Sequence, residues 1–208
     1  MEVSKYFSEQ AYAEDLLRGN VWIGTLEGFR KCEQSRRGDP NEGIKQYHSG
    51  RATGDENDPA LRMIAERLGF YIEGSIGGTF DNCHSEAKVH DAFVYCTATK
   101  EIRDPRELQA FGSIRILITD IELFAHRVDG ALRKHFGMAF AKHMGPVSYV
   151  GATYQGCDPD PGRNGFVKDP DFVGQHEYRL LWTGTNRAKF VPFLLPVPRI
   201  AALCSLAC

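Results

Sequence analysis

The stretch Gln175-His176-Glu177-Tyr178-Arg179-Leu180-Leu181-Trp182 passes from polar to apolar within eight residues. Side chains of a strand point alternately to opposite faces. As a strand, it is expected to set Gln175, Glu177 and Arg179 on one face and His176 and Tyr178 on the other. Leu180 and Trp182 then carry the strand from a polar mouth into a core. A carboxylate at that junction is partly desolvated, and Arg179 on the same face keeps it ionised. Such a carboxylate orients a ribose hydroxyl or stabilises an oxocarbenium-like cation. The same three residues also suit an ordinary ion pair on an edge strand.

The flanking sequence is rich in strands. Residues 190–195 read as a further strand followed by a packed tail, because Pro192, Pro196, Pro198 and Arg199 interrupt the apolar run. Residues 3–7, 21–25, 70–75, 90–97, 113–119 and 146–154 also read as strands. The run Ala92-Phe93-Val94-Tyr95-Cys96-Thr97 is apolar enough for a central one. Helical spacing marks residues 9–18, capped by Ser8 and stopped by Gly19-Asn20. It also marks 59–68 and 120–136, the last with Leu123, Phe124, Val128, Leu132 and Phe136 as its apolar stripe. Residues 26–33 suit one or two helical turns, 49–59 a polar connection. Trp22 and Trp182 are expected in the core. Strands cluster with helices at one end, which predicts an α+β fold.

With 208 residues, 25 Lys and Arg against 27 Asp and Glu, and a net charge of −2, the chain is expected to form one domain. Hydrophobic residues at 42% and charged ones at 25% exclude global disorder. The charge balance removes the simplest argument for nucleic-acid binding. No secretory signal and no apolar run of about 18 residues is found, so no membrane association is expected. The six cysteines form no Cys-x-x-Cys pair and point to reduced thiols in a cytoplasmic protein. Cys83, His84, His90 and Cys96 match no standard zinc spacing, and no metal site is expected. Phosphate-loop, dinucleotide, HExxH and GxSxG motifs are all missing.

The loop Ser35-Arg36-Arg37-Gly38-Asp39-Pro40-Asn41-Glu42-Gly43 is the second candidate. Arginine forks bind phosphate bidentately, and glycine lets backbone N–H groups approach an anion. Asp39 and Glu42 can instead hold the loop's shape.

Taken in order, these segments resemble NAD-dependent ADP-ribosyltransferases of the DNA- and RNA-modifying toxin kind. More closely, they are similar to a bacterial family with a Lys-Tyr-Arg-like start, an FNDPFE-like loop, a vFCxS-like strand and a late Lys…EKEWR-like strand. The counterparts are Lys5-Tyr6-Phe7, Gly38-Asp39-Pro40-Asn41-Glu42, Val94-Tyr95-Cys96-Thr97, and Lys168 followed by residues 175–179. The resemblance implies a single domain with a two-sheet, split β-core and peripheral helices. It implies NAD as the substrate and a protein or nucleic acid as the acceptor. It makes Glu177 the catalytic glutamate and places Gln175 two residues before it to engage the acceptor. Lys5, Tyr6, Arg37, Asp39, Glu42, Tyr95, Thr97 and Arg179 form the expected NAD-binding set. Tyr95 and Thr97 line the cleft beside the glutamate, and Arg37 meets the diphosphate. Lys5 stands where known transferases carry Arg or His. Toxin, phage-defence and counter-defence roles follow, with a cognate antitoxin or inhibitor as a further partner. Two rival readings use the same residues: a metal-dependent nuclease built on Asp39, Glu42 and Glu177, and a binding module without chemistry.

Overall fold

The computed structural model describes residues 1–32, 38–74, 76–184 and 190–207. In chain order its elements are β1 (Val3–Phe7), α1 (Gln10–Leu17), β2 (Asn20–Thr25), α2 (Leu26–Arg30), β3 (Ile44–His48), β4 (Arg51–Gly54) and α3 (Pro59–Arg67). Then follow β5 (Gly78–Asp81), β6 (His84–Lys88), β7 (Ala92–Ala98), α4 (Pro105–Phe111), β8 (Ile114–Ile118) and α5 (Ile121–Phe136). The last are β9 (Ala141–Pro146), β10 (Thr153–Gln155), β11 (Glu177–Thr183), β12 (Phe193–Pro196) and β13 (Cys204–Leu206), with 3₁₀ turns at Pro170–Gln175 and Pro198–Leu203. The class is α+β, with mostly antiparallel sheets. Among the described residues no helix is long and apolar enough to cross a membrane.

The described residues form two compact units. One takes residues 1–42, 90–147 and 171–208; the other takes 43–89 and 148–170.

The first unit is an eight-stranded sheet in which β12-β2-β7-β1-β8-β13 are neighbours and β11 lies between β7 and β9. β7 pairs along its whole length with β11. Its other edge is shared: Val94 and Phe93 meet β2, while Ala98 meets Ser4 of β1. The sheet therefore forks at β7. Register sorts the side chains between two faces. Phe93, Tyr95 and Thr97 stand opposite Trp182, Leu180 and Tyr178, so all six share one face. That face is covered by the apolar stripe of α5, Ile121, Phe124, Ala125, Val128 and Leu132, all fully buried. Each large side chain so buried contributes about 1.5–3 kcal/mol. Asp120 starts α5 by accepting hydrogen bonds from the Glu122 and Leu123 amides. The opposite face carries Glu177 and Arg179 beside Ala98 and Cys96, their register partners.

The second unit holds the sheet β10-β3-β6, the pair β4-β5 and α3. Asp58 caps α3 and Pro59 opens it. The Arg67 guanidinium lies 5.5 Å from the Tyr47 ring centroid and 5.3 Å from that of Tyr154, and donates to the Gly156 carbonyl at 2.6 Å. These stacked contacts fix α3 against the sheet.

Several expectations are corrected. Residues 49–59 contain β4, and residues 70–75 contain no strand among those described. The strand expected over 146–154 is two: β9 ends at Pro146 and β10 begins at Thr153. The cap of α1 is Glu9, one residue beyond Ser8. Trp182 is buried, whereas Trp22 is 55% exposed because its neighbours Val21 and Ile23 take the inward positions of β2.

Candidate functional site

The approach to β11 departs from a continuous strand. Gln175 ends the 3₁₀ turn, and His176 adopts φ 45°, a left-handed conformation that His tolerates better than most residues. The His176 carbonyl accepts from the Thr99 amide at 2.8 Å and the Thr99 hydroxyl at 3.1 Å, which holds this bend in place. Strand alternation therefore begins at Glu177, and Gln175, although buried, owes its orientation to the turn.

Glu177 and Arg179, two apart on β11, point to the same face. Arg179 Nε donates to Glu177 Oε1 at 2.7 Å, and Arg179 Nη1 donates to Glu42 Oε1 at 2.5 Å. Glu177 is 4% exposed, Glu42 1% and Arg179 0%. Burial alone would weaken the Arg179 cation. The charges of Glu177 and Glu42 outweigh that loss and hold the guanidinium protonated more firmly than a free one.

Glu42 reaches this cluster through a built loop. Asp39 accepts at Oδ1 from the Asn41 amide at 2.8 Å, an Asx turn, and the Glu42 amide donates to the Asp39 carbonyl at 2.9 Å. The Asp39 amide is tied to the Phe29 carbonyl at 3.2 Å, and Arg30 Nε donates to the Glu42 carbonyl at 2.7 Å. The end of α2 thereby sets the position of both acids.

The other candidates divide between the two faces. Tyr6 packs with Ala98 and Ile102, and its hydroxyl accepts from the Ile102 amide at 2.8 Å. It shares the face of Ser4 and Ala98, hence of Glu177. Lys5 alternates to the other face, with Nζ 4.8 Å from the Tyr95 ring centroid and donating to the Cys96 carbonyl at 2.7 Å. Tyr95 stacks on Phe124 at 5.3 Å, and burial pushes its phenol well above the usual range. The Thr97 hydroxyl donates to the Tyr178 carbonyl at 3.0 Å. Tyr95 and Thr97 thus lie on the α5 face, across the sheet from Glu177. Arg37 lies outside the described residues.

One neighbour of this cluster, Cys96, and one buried acid elsewhere in the first unit, Glu107, carry no functional reading in the sequence. Cys96, within the apolar run 92–97, stands opposite Arg179 on the adjacent strand. Glu107 is buried on α4, a helix announced by Asp104-Pro105, the same cap and first-turn proline seen at Asp58-Pro59. Among the described residues no three His, Cys, Asp or Glu side chains are grouped to hold a metal ion. Comparison of the chain with protein-family models, curated proteins and solved structures finds no match.

Proposed function

We propose that the chain is an NAD-dependent mono-ADP-ribosyltransferase acting on a protein or nucleic-acid acceptor, with Glu177 as its catalytic glutamate. The observation carrying this reading is the Arg179–Glu177 pair at the start of β11. A carboxylate with one oxygen fixed by a permanently charged guanidinium stays ionised and oriented. In the reaction, the bond between nicotinamide and ribose breaks and nicotinamide leaves with the electron pair. Glu177 orients the ribose and faces the positive charge that develops on it. The acceptor nucleophile then bonds to the ribose carbon and loses its proton. One preorganised group aimed at developing charge is worth about 10²–10³ in rate. The fork of the sheet at β7 supports a split two-sheet core. Glu42 acts through Arg179, and Asp39 acts through the loop that presents Glu42. Toxin, phage-defence and counter-defence settings, with an antitoxin or inhibitor as partner, belong to the same proposal.

The test is purified protein with labelled NAD and cell lysate, wild type beside Glu177→Ala. Nicotinamide release and a labelled product from the wild type alone support the reading. Neither product from the wild type overturns it.

The near-complete burial of Glu177 and Arg179 favours a second reading, a binding module that keeps the fold without chemistry. Stabilisation by ADP-ribose without NAD cleavage would select it. A metal-dependent nuclease gains less support, because Glu42 and Glu177 both direct an oxygen to Arg179.

A further inference from the structure

We propose that His48 and His84, in the second unit, form an open two-imidazole site for a divalent transition-metal ion. The two residues are direct cross-strand partners at the end of the β3–β6 pairing. Ladder hydrogen bonds fall on the alternate pairs: the Val89 amide donates to the Gly43 carbonyl at 2.9 Å, and the Ser49 amide to the Cys83 carbonyl at 2.8 Å. His48 and His84 therefore occupy a non-hydrogen-bonded pair, where side chains approach most closely.

Their rings are exposed, and the centroids stand 6.3 Å apart at 34°. An ion about 2.0–2.1 Å from a ring nitrogen lies roughly 3.2 Å from that ring's centroid, so two rings sharing one ion have centroids no more than about 6.4 Å apart. The observed separation lies within that reach, and small χ rotations close it further. Neither imidazole has a hydrogen-bonding partner among the described residues, so no existing bond is lost on chelation. Both ligands sit on paired strands, which hold the geometry better than loops do. No third His, Cys, Asp or Glu completes the set among the described residues. The remaining coordination positions are therefore left to water, and borderline ions that favour imidazole, Ni²⁺, Cu²⁺ and Zn²⁺, are the class the site takes. The neighbouring thiol is engaged elsewhere: Cys83 Sγ stands 3.8 Å from the Asp81 carbonyl, and the Cys83 amide donates to Ser49 Oγ at 2.9 Å. A bound ion would clip edge strand β6 to central strand β3.

The experiment is calorimetric titration of the untagged full chain with Ni²⁺, for wild type, His48→Ala, His84→Ala and Cys83→Ser. The expected result is one site in the wild type, weakened at least about tenfold by either histidine substitution and unchanged by Cys83→Ser. Nickel should also raise the melting temperature of the wild type and not that of His48→Ala. The proposal is overturned if the wild type takes up no nickel, if both histidine variants bind like the wild type, or if Cys83→Ser alone abolishes binding.

Discussion

Arg179 bonds Glu177 on its own strand at 2.7 Å and Glu42, 137 residues away in sequence, at 2.5 Å. One guanidinium thus joins the start of β11 to the loop that follows α2. The Nε and Nη1 donors face different acids, each from its own nitrogen of a rigid planar fork, whereas an ammonium would have to reach both acids from one point.

Removing that cation leaves two carboxylates buried without the charge that faces them. Arg179→Ala is expected to cost about 3–5 kcal/mol of stability, and Arg179→Lys to recover only a minor part of it. Urea unfolding of the purified variants measures this. A loss under about 1 kcal/mol for Arg179→Ala would show that the cluster contributes little to folding.

Glu177→Gln keeps the size of the side chain and removes its charge. If Glu177 faces the developing ribose cation, NAD cleavage should fall about 10²–10³-fold in kcat with little change in KM. The urea midpoint should move far less than for Arg179→Ala. Equal nicotinamide release by wild type and variant would remove Glu177 from the chemistry.

The sequence carried some of this arrangement plainly. β11 was legible because its polar residues precede a continuous apolar run, and α5 because its stripe follows helical spacing behind a capping aspartate. In the second unit α3 was equally plain, marked by Asp58-Pro59 and its apolar spacing, but the strands were not. In β3 only Tyr47 is buried, and β4, β5 and β6 bury no side chain fully, so no period-two hydrophobic pattern exists to read. Gln175 was assigned to the face of Glu177 because nothing in residue types announces the left-handed His176 between them. Trp22 was expected in the core for its size, but Val21 and Ile23 take the inward positions of β2 and alternation turns Trp22 outward. The Glu42–Arg179 bond has no local signature, since long-range pairing leaves none in a single sequence.

Gly112 closes the turn between α4 and β8 with φ 96°, and a Cβ built there would lie 2.0 Å from the Phe7 carbonyl oxygen and 2.2 Å from the Ser8 nitrogen. Both of these atoms belong to the Phe7–Ser8 peptide, and backbone cannot swing aside as a flexible side chain can. Gly137, at the end of α5, also has positive φ (65°) but faces open space. Gly137→Ala should therefore cost only the left-handed penalty of about 1–2 kcal/mol. Gly112→Ala should exceed about 4 kcal/mol and leave little folded protein. Thermal unfolding compares the two, and similar melting temperatures would contradict the close approach.

Alkaline pH tests the packing beneath β1 and β8. Burial pushes the Cys204 thiol from its usual 9.0 to about 11. Burial also pushes the Tyr95 phenol well above 10.0, with the nearby Cys204 and Cys96 sulfurs adding to the effect. Both groups keep their protons longer in the folded chain than in the unfolded one. Their contribution to stability is therefore complete below the unfolded thiol value and is lost as pH rises from 9.0 through about 11. Tyr95 extends the loss further, beginning above 10.0. Urea midpoints measured from about pH 8 to about pH 11 should fall across this window, and Cys204→Ala should flatten the fall relative to wild type. Tyrosinate absorbance from Tyr95 should emerge only as the chain unfolds. A wild-type midpoint that holds constant through this range, or a fall of equal slope in Cys204→Ala, would show that the thiol gains no protection from folding.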